Sequence, residues 1–262
     1  MSEQSSSPLF AVAAQAYDRL MGRYLPTLGV AFADAARIAA GQRALDVGCG
    51  PGGLTTELVR RLGAESVAAI DPSPTFVAAC RERHPGVEVR QGFAEDLPWQ
   101  DHAFDATLGS LIAGFLAGPG RAAAEMRRVT VPGGSVGLCF WEIERMPLIT
   151  SFWQAVFSVD STASGEAELF GRHRGQLAEL LSSAGLREVT ESSLTATADY
   201  ADADDWWSSF TGGAGPVGAQ YNRMDDEQRA RVRARGLELL GSPSGAFTLE
   251  AHAWCAVGQV PG

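Results

Sequence analysis

A chain of 262 residues suits one large α/β domain, or a core carrying a small lid. With 45% hydrophobic residues it can bury a full core, and 20% charged residues is ordinary for a globular protein. The net charge of −10 disfavours binding to phosphate backbones, and so disfavours nucleic acid as a partner.

No stretch reaches the roughly 18 apolar residues of a membrane span, and the segment from Met1 to Pro8 lacks a basic run followed by an apolar one. Neither a membrane segment nor a standard secretion signal is therefore expected. Cys49, Cys80, Cys139 and Cys255 are far apart, form no CxxC pair and sit in apolar or glycine-rich stretches. They are read as reduced thiols of a cytoplasmic protein rather than as staples or metal ligands.

Residues 1–8 are expected to be a disordered tail. Phe10, Ala13, Tyr17, Leu20 and Met21 are spaced for one apolar face, which predicts a helix over 10–24 that Pro26 interrupts. A second helix is predicted over 28–40, closed by Gly41. An alternation then begins: strand 44–47, helix 52–62, strand 66–70, helix 73–83 and strand 87–91. Strand 104–109, helix 120–129 and strand 136–141 continue it. Strands separated by helices of about ten residues imply parallel pairing through right-handed crossovers.

The remainder differs. Helix 176–184 is closed by Gly185, and 187–200 and 246–258 alternate in polarity as edge strands do. Between them lie an acidic segment with Trp206 and Trp207, a glycine-rich turn around Gly212–Gly218, and a charged helix over 225–240. That helix carries Arg229, Arg231, Arg233 and Arg235 behind an acidic first turn, the pattern of a solvated helix. The implied organisation is a tail (1–8), an N-terminal helical lid segment (9–41), a core (42–200 and 245–260) and a lid insertion (201–244).

The strongest chemical signal is Ala44-Leu45-Asp46-Val47-Gly48-Cys49-Gly50-Pro51-Gly52-Gly53. A buried strand ends in a glycine-rich turn that opens a helix, and glycines let backbone turn sharply and approach a ligand closely. The spacing Gly48-x-Gly50-x-Gly52, with Asp46 inside the strand, departs from a dinucleotide fingerprint, which places its third glycine further on. A tight turn without a ligand is the plain alternative. Asp71 ends the next strand, where a carboxylate can accept both hydroxyls of a ribose. It could instead cap the following helix, though Ser73 could serve as that cap.

These residues resemble motif I and the ribose-binding acid of class I S-adenosylmethionine-dependent methyltransferases. The resemblance extends through Gly92-Phe93-Ala94-Glu95-Asp96-Leu97-Pro98, which would edge the adenine, and Phe104-Asp105-Ala106. It continues in Glu125-Met126-Arg127-Arg128-Val129 with Pro132-Gly133-Gly134. Ala16-Tyr17-Asp18-Arg19-Leu20-Met21-Gly22-Arg23 resembles the N-terminal helix of the small-molecule branch, including the ubiquinone and menaquinone C-methyltransferases.

The resemblance implies a doubly wound, seven-stranded, mostly parallel α/β sheet in the order 3-2-1-4-5-7-6, its last strand antiparallel, with a helical lid. It implies S-adenosyl-L-methionine as cofactor, held by Asp46, Gly48, Cys49, Gly50, Gly52, Asp71, Pro72, Phe93, Ala94, Glu95 and Ser110. Arg23 would pair with the methionine carboxylate, or else is a solvated surface arginine. Tyr17 would touch the ligand, or else faces the core. Relatives often have an acid where Phe93 stands, so Glu95 or a backbone carbonyl would supply that contact and Phe93 would pack on the ring. The Asn/Asp-Pro-Pro-aromatic motif of amino-group methyltransferases is absent after Ser110.

His84, His102, His173 and His252 show no metal-ligand spacing, and His84 and His102 are expected to be exposed. No catalytic base stands out, but transfer from a sulfonium needs alignment and exclusion of water more than acid–base chemistry. Residues 10–24 and 201–241 are expected to cover the cofactor and form the acceptor pocket. Their aromatic residues suit a largely apolar small-molecule methyl acceptor. The competing functions are a nicotinamide-dependent oxidoreductase and a non-catalytic cofactor-binding protein.

Overall fold

The computed structural model describes residues 18–165, 168–213 and 215–262. The tail 1–8, Tyr17 and most of the expected helix over 10–24 lie outside the described residues. After one π-helical turn, Asp18–Gly22, the elements run α1 Leu25–Ala35, β1 Ala44–Val47, α2 Gly53–Leu62, β2 Val67–Asp71, α3 Pro74–Arg83 and β3 Glu88–Gln91. Then come β4 Phe104–Ser110, α4 Pro119–Val129, β5 Thr130–Trp141, α5 Pro147–Val159, α6 Gln176–Ser183 and β6 Arg187–Tyr200. The last are α7 Ala203–Ser208, α8 Gly215–Arg223, α9 Asp226–Leu239 and β7 Phe247–Gln259. Among the described residues no helix is long and apolar enough to cross a membrane.

The seven strands form one sheet in the order β3-β2-β1-β4-β5-β7-β6. β1 pairs in parallel with β2 and β4, β2 with β3, and β4 with β5, whereas β7 runs antiparallel to β5. Every residue of β1 and β2 is buried, as expected for central parallel strands covered on both faces. The expected order and the antiparallel last strand are both present.

Several local expectations are corrected. The helix predicted over 28–40 is Leu25–Ala35: Pro26 sits in its first turn, where its missing N–H costs nothing, and Arg37 with φ 56° prevents continuation to Gly41. The fifth strand begins at Thr130, not Val136, because Pro132-Gly133-Gly134 is absorbed as an irregularity. Pairing jumps there from Phe104↔Thr130 to Ala106↔Ser135. α5 was not anticipated, since its nearly continuous apolar run shows no clear helical stripe.

The described chain divides into two compact units. The larger comprises Leu25–Trp141, Leu169–Thr195 and Ala253–Gly262. Leu45, Val47, Ile70, Phe104, Met126 and Leu138 are among the side chains of its main core.

The smaller unit gathers Glu142–Glu168 and Ala196–His252 with the described residues up to Tyr24. Its core is aromatic: Phe152 stacks on Phe210 at 4.5 Å, and Trp206 meets Phe210 edge-on at 5.3 Å. Gly236 lets α9 lie against Trp206, because a Cβ there would fall 2.7 Å from the indole ring. Arg23 reaches both carboxylate oxygens of Asp205 and also donates to the Asp199 carbonyl at 3.0 Å. α9 starts in a capping box between Asp225 and Gln228, and Arg229, Arg233 and Arg235 pair with Asp226, Asp204 and Glu238, as suits a solvated helix.

Candidate cofactor site

Because β1 to β5 are parallel, their carboxyl ends share one edge of the larger unit's sheet. The chain runs outward from β1 to β3 and then returns to place β4 on the other side of β1. Ligands of open α/β sheets bind at such a switch point, outside the strand ends. The turn after β1, Asp71 at the end of β2, residues 92–96 after β3 and residues 111–115 after β4 all lie along this edge.

The glycines of the first turn have distinct tasks. At Gly48 a Cβ would come 2.3 Å from Cγ2 of Ile112, so that position is closed by the turn after β4 rather than by a ligand. At Gly52, φ 102°, a Cβ would come 2.7 Å from Nε2 of His84. At Gly50, φ 55°, nothing lies within 4 Å of the Cβ position, and this is where a ligand can approach the backbone. Cys49 is buried and packs with Cys80 and Val77.

The turn is tied to β2. The N–H groups of Gly48 and Cys49 both donate to the Ile70 carbonyl, at 2.7 and 3.0 Å. Asp71 accepts the Gly50 N–H on Oδ2 at 2.9 Å and the Ser73 N–H on Oδ1 at 2.8 Å. Burial raises its pKa, and these two backbone donors oppose the rise. Each oxygen keeps further acceptor capacity, which fits the paired hydroxyls of a ribose. The helix cap that could have claimed Asp71 is Ser73, whose hydroxyl accepts the Phe76 N–H. Pro72 follows on the exposed rim.

Asp46 is fully buried in β1, and desolvation pushes its pKa up to about 7. Oδ2 accepts the Thr55 hydroxyl at 2.6 Å, while Oδ1 is buried without a hydrogen-bond partner. An orphaned acceptor behind the turn suits a cationic or N–H-bearing ligand. With the space at Gly50 and the capacity of Asp71, the residues present fit S-adenosylmethionine.

Around the rim, Phe93 is 64% exposed, Ala94 is buried, and Glu95 is engaged in structure. Its Oε1 accepts the Gly118 N–H at the start of α4, and its carbonyl accepts Arg121. Ser110 contacts Cys139 at 3.5 Å. Arg23 belongs to the smaller unit, in the pair with Asp205.

Other residues at this edge were not singled out from the sequence. Ile112 closes over Gly48 and Gly109, and Phe115, 73% exposed, leans edge-on against Phe140 at 6.0 Å. Leu111, just before Ile112, adopts φ 62°, an unusual conformation for a bulky residue at the turn after β4. Only the exposed-looking apolar run 111–115 hinted at them. His84 is half-buried against the Gly52 carbonyl rather than exposed; His102 and His173 are exposed, and His252 accepts from Arg145 at 3.0 Å.

Residues 45–138 match the family model described as a methyltransferase domain. A phthiotriol/phenolphthiotriol dimycocerosates methyltransferase 2 of Mycobacterium ulcerans is 40% identical over 96 residues, 36% of this chain and 37% of that protein. A malonyl-[acyl-carrier protein] O-methyltransferase of Erwinia billingiae is 30% identical over 155 residues, 59% of this chain and 60% of that protein. The chain thus spans less than two thirds of the length of these relatives. Among solved structures, Haemonchus contortus phosphoethanolamine N-methyltransferase 2, in complex with phosphomonomethylethanolamine and S-adenosylhomocysteine, has the same fold. Its TM-score is 0.59 at 14% identity, covering 99% of this chain and 60% of that one. Residues 45–138 are accordingly a methyltransferase domain of the class I, S-adenosylmethionine-dependent kind.

Proposed function

We propose that the protein transfers the methyl group of S-adenosylmethionine to a small, largely apolar metabolite, at oxygen, nitrogen or carbon. The observation that carries the cofactor half is the clear space at Gly50 beside Asp71, whose carboxylate already holds the turn. Bound there, the cofactor supplies an electrophilic methyl on a sulfonium. The protein's part is then positional: Asp71 orients the ribose, the turn receives the methionine end, and buried Asp46 offers an unpartnered carboxyl oxygen behind it. Phe93 packs against the adenine.

The acceptor half rests on Phe115. A phenyl ring 73% exposed beside the switch point suits an apolar acceptor, and the net charge of −10 disfavours an anionic polymer. The aromatics of the smaller unit carry less of this argument than their number suggests, since Phe152, Trp206 and Phe210 pack on one another. The names of the two relatives, one for a lipid and one for an acyl-carrier-bound malonyl group, also favour small-molecule chemistry.

Calorimetric titration with S-adenosylhomocysteine, and with NADH as control, tests the cofactor. Incubation of metabolite extracts with methyl-labelled cofactor, followed by mass identification, tests the acceptor. Binding of NADH alone, or labelling only of RNA or protein, would overturn the proposal.

A further inference from the structure

The turn after β1 has a back wall that its own sequence does not contain. The C-terminal turn of α3 supplies Arg83 and His84, and both reach carbonyls of the turn. Arg83 Nη1 donates to the Pro51 carbonyl at 3.2 Å, and His84 Nε2 lies 3.2 Å from the Gly52 carbonyl. The Thr56 hydroxyl donates to that same carbonyl at 2.8 Å and lies 3.2 Å from Nε2. A carbonyl only accepts, so the contact requires the proton on Nε2. Burial lowers the His84 pKa, which favours a neutral ring carrying that single proton.

The consequence follows from peptide planarity. In a trans peptide the C=O and the next N–H point in opposite directions. The Thr56 N–H aims the Gly52 carbonyl at 3.0 Å as the first bond of α2, and the Thr56 hydroxyl and His84 hold it from the α3 side, so the Gly53 N–H, at the first position of α2, points the opposite way. That N–H is one of the donors a helix start leaves without an intrahelical partner. The φ of 102° at Gly52 is the conformation that brings its carbonyl to His84, and the imidazole fills the place a side chain would take.

We propose that His84 is a positioning residue for the cofactor turn, its Nε2–H holding the Gly52 carbonyl and so fixing the peptide planes on which the methionine end of the cofactor rests. The inference rests on the assignment of this turn to S-adenosylmethionine. His84 is the C-cap of α3 with φ −127°, a backbone conformation open to asparagine and glutamine alike. Two variants separate position from bulk. His84→Gln can place an amide N–H near the site of Nε2, whereas His84→Asn is one atom too short.

The experiment is calorimetric titration of wild type, His84→Asn and His84→Gln with S-adenosylhomocysteine, with thermal unfolding measured on the same preparations. The expected result is affinity about 10-fold weaker in His84→Asn and within about 3-fold of wild type in His84→Gln, the scale of one lost hydrogen bond, at similar Tm in both. Equal affinity in all three proteins would overturn the role of His84 alone. Equal losses in both variants that track a falling Tm would do the same. No binding by wild type would overturn the cofactor assignment itself.

Discussion

The Asp71 carboxylate accepts the Gly50 N–H at 2.9 Å, so the acid that ends β2 and the glycine that faces the ligand are joined before any ligand arrives. The acid at the strand end and the glycine turn, two separate signals in the sequence, are one hydrogen-bonded unit in the fold.

Removing that acid takes away both the ribose acceptor and the turn's anchor at Gly50. Asp71→Ala should weaken S-adenosylhomocysteine binding by about 1–3 kcal/mol, the scale of a lost charge-assisted bond. Asp71→Asn, which keeps one acceptor, should lose less. Unchanged affinity in calorimetry for Asp71→Ala would remove the ribose assignment.

The glycines should respond differently to substitution. Gly50→Val should abolish cofactor binding with a modest fall in Tm, because the Cβ meets no protein atom and the cost is a left-handed φ, about 1–2 kcal/mol. Gly48→Ala should instead destabilise the fold by driving into Ile112. Adding Ile112→Ala should recover part of that loss, leaving the double variant more stable than the sum of the singles by about 1 kcal/mol. Strict additivity in denaturant unfolding would contradict the contact.

Asp46 should make stability depend on pH. With a folded pKa of about 7, it stays protonated between pH 4 and pH 7 while the unfolded chain loses that proton. Native stability from this group is complete below the unfolded value and is lost as pH rises toward 7. Asp46→Asn should erase that slope, gaining on the order of 2–4 kcal/mol relative to wild type between pH 4 and pH 8. Unfolding curves of the ligand-free proteins across this range decide it; parallel profiles would refute the buried acid's role.

In the smaller unit, Arg23 and Asp205 form a bidentate pair whose side chains are 28% and 27% exposed. The hydrogen bond to Arg23 holds the Asp205 carboxyl below its ordinary range. A double-mutant cycle with Arg23→Met and Asp205→Asn should show coupling of about 1 kcal/mol, modest because water reaches the pair. Coupling near zero would mean that the contact contributes nothing.

The amino-acid pattern by itself determined the alternation of buried strands and amphipathic helices, and with it the parallel sheet. β1 and α2 were legible almost to the residue, because hydrophobic periodicity and glycine or proline punctuation are local properties. The motif also picked out Gly50 and Asp71, since backbone approach and a strand-end acid leave marks in consecutive residues. What only the tertiary structure decided is which distant groups meet there. Ile112 beside Gly48, Glu95 committed to Gly118, and His84 behind Gly52 are contacts between residues 23 to 64 positions apart, with no periodic signature. Likewise, the aromatic residues around Trp206 could be assigned to a core only once α5, α7 and α9 were placed, because an indole buried in packing and one lining a pocket look alike in one dimension.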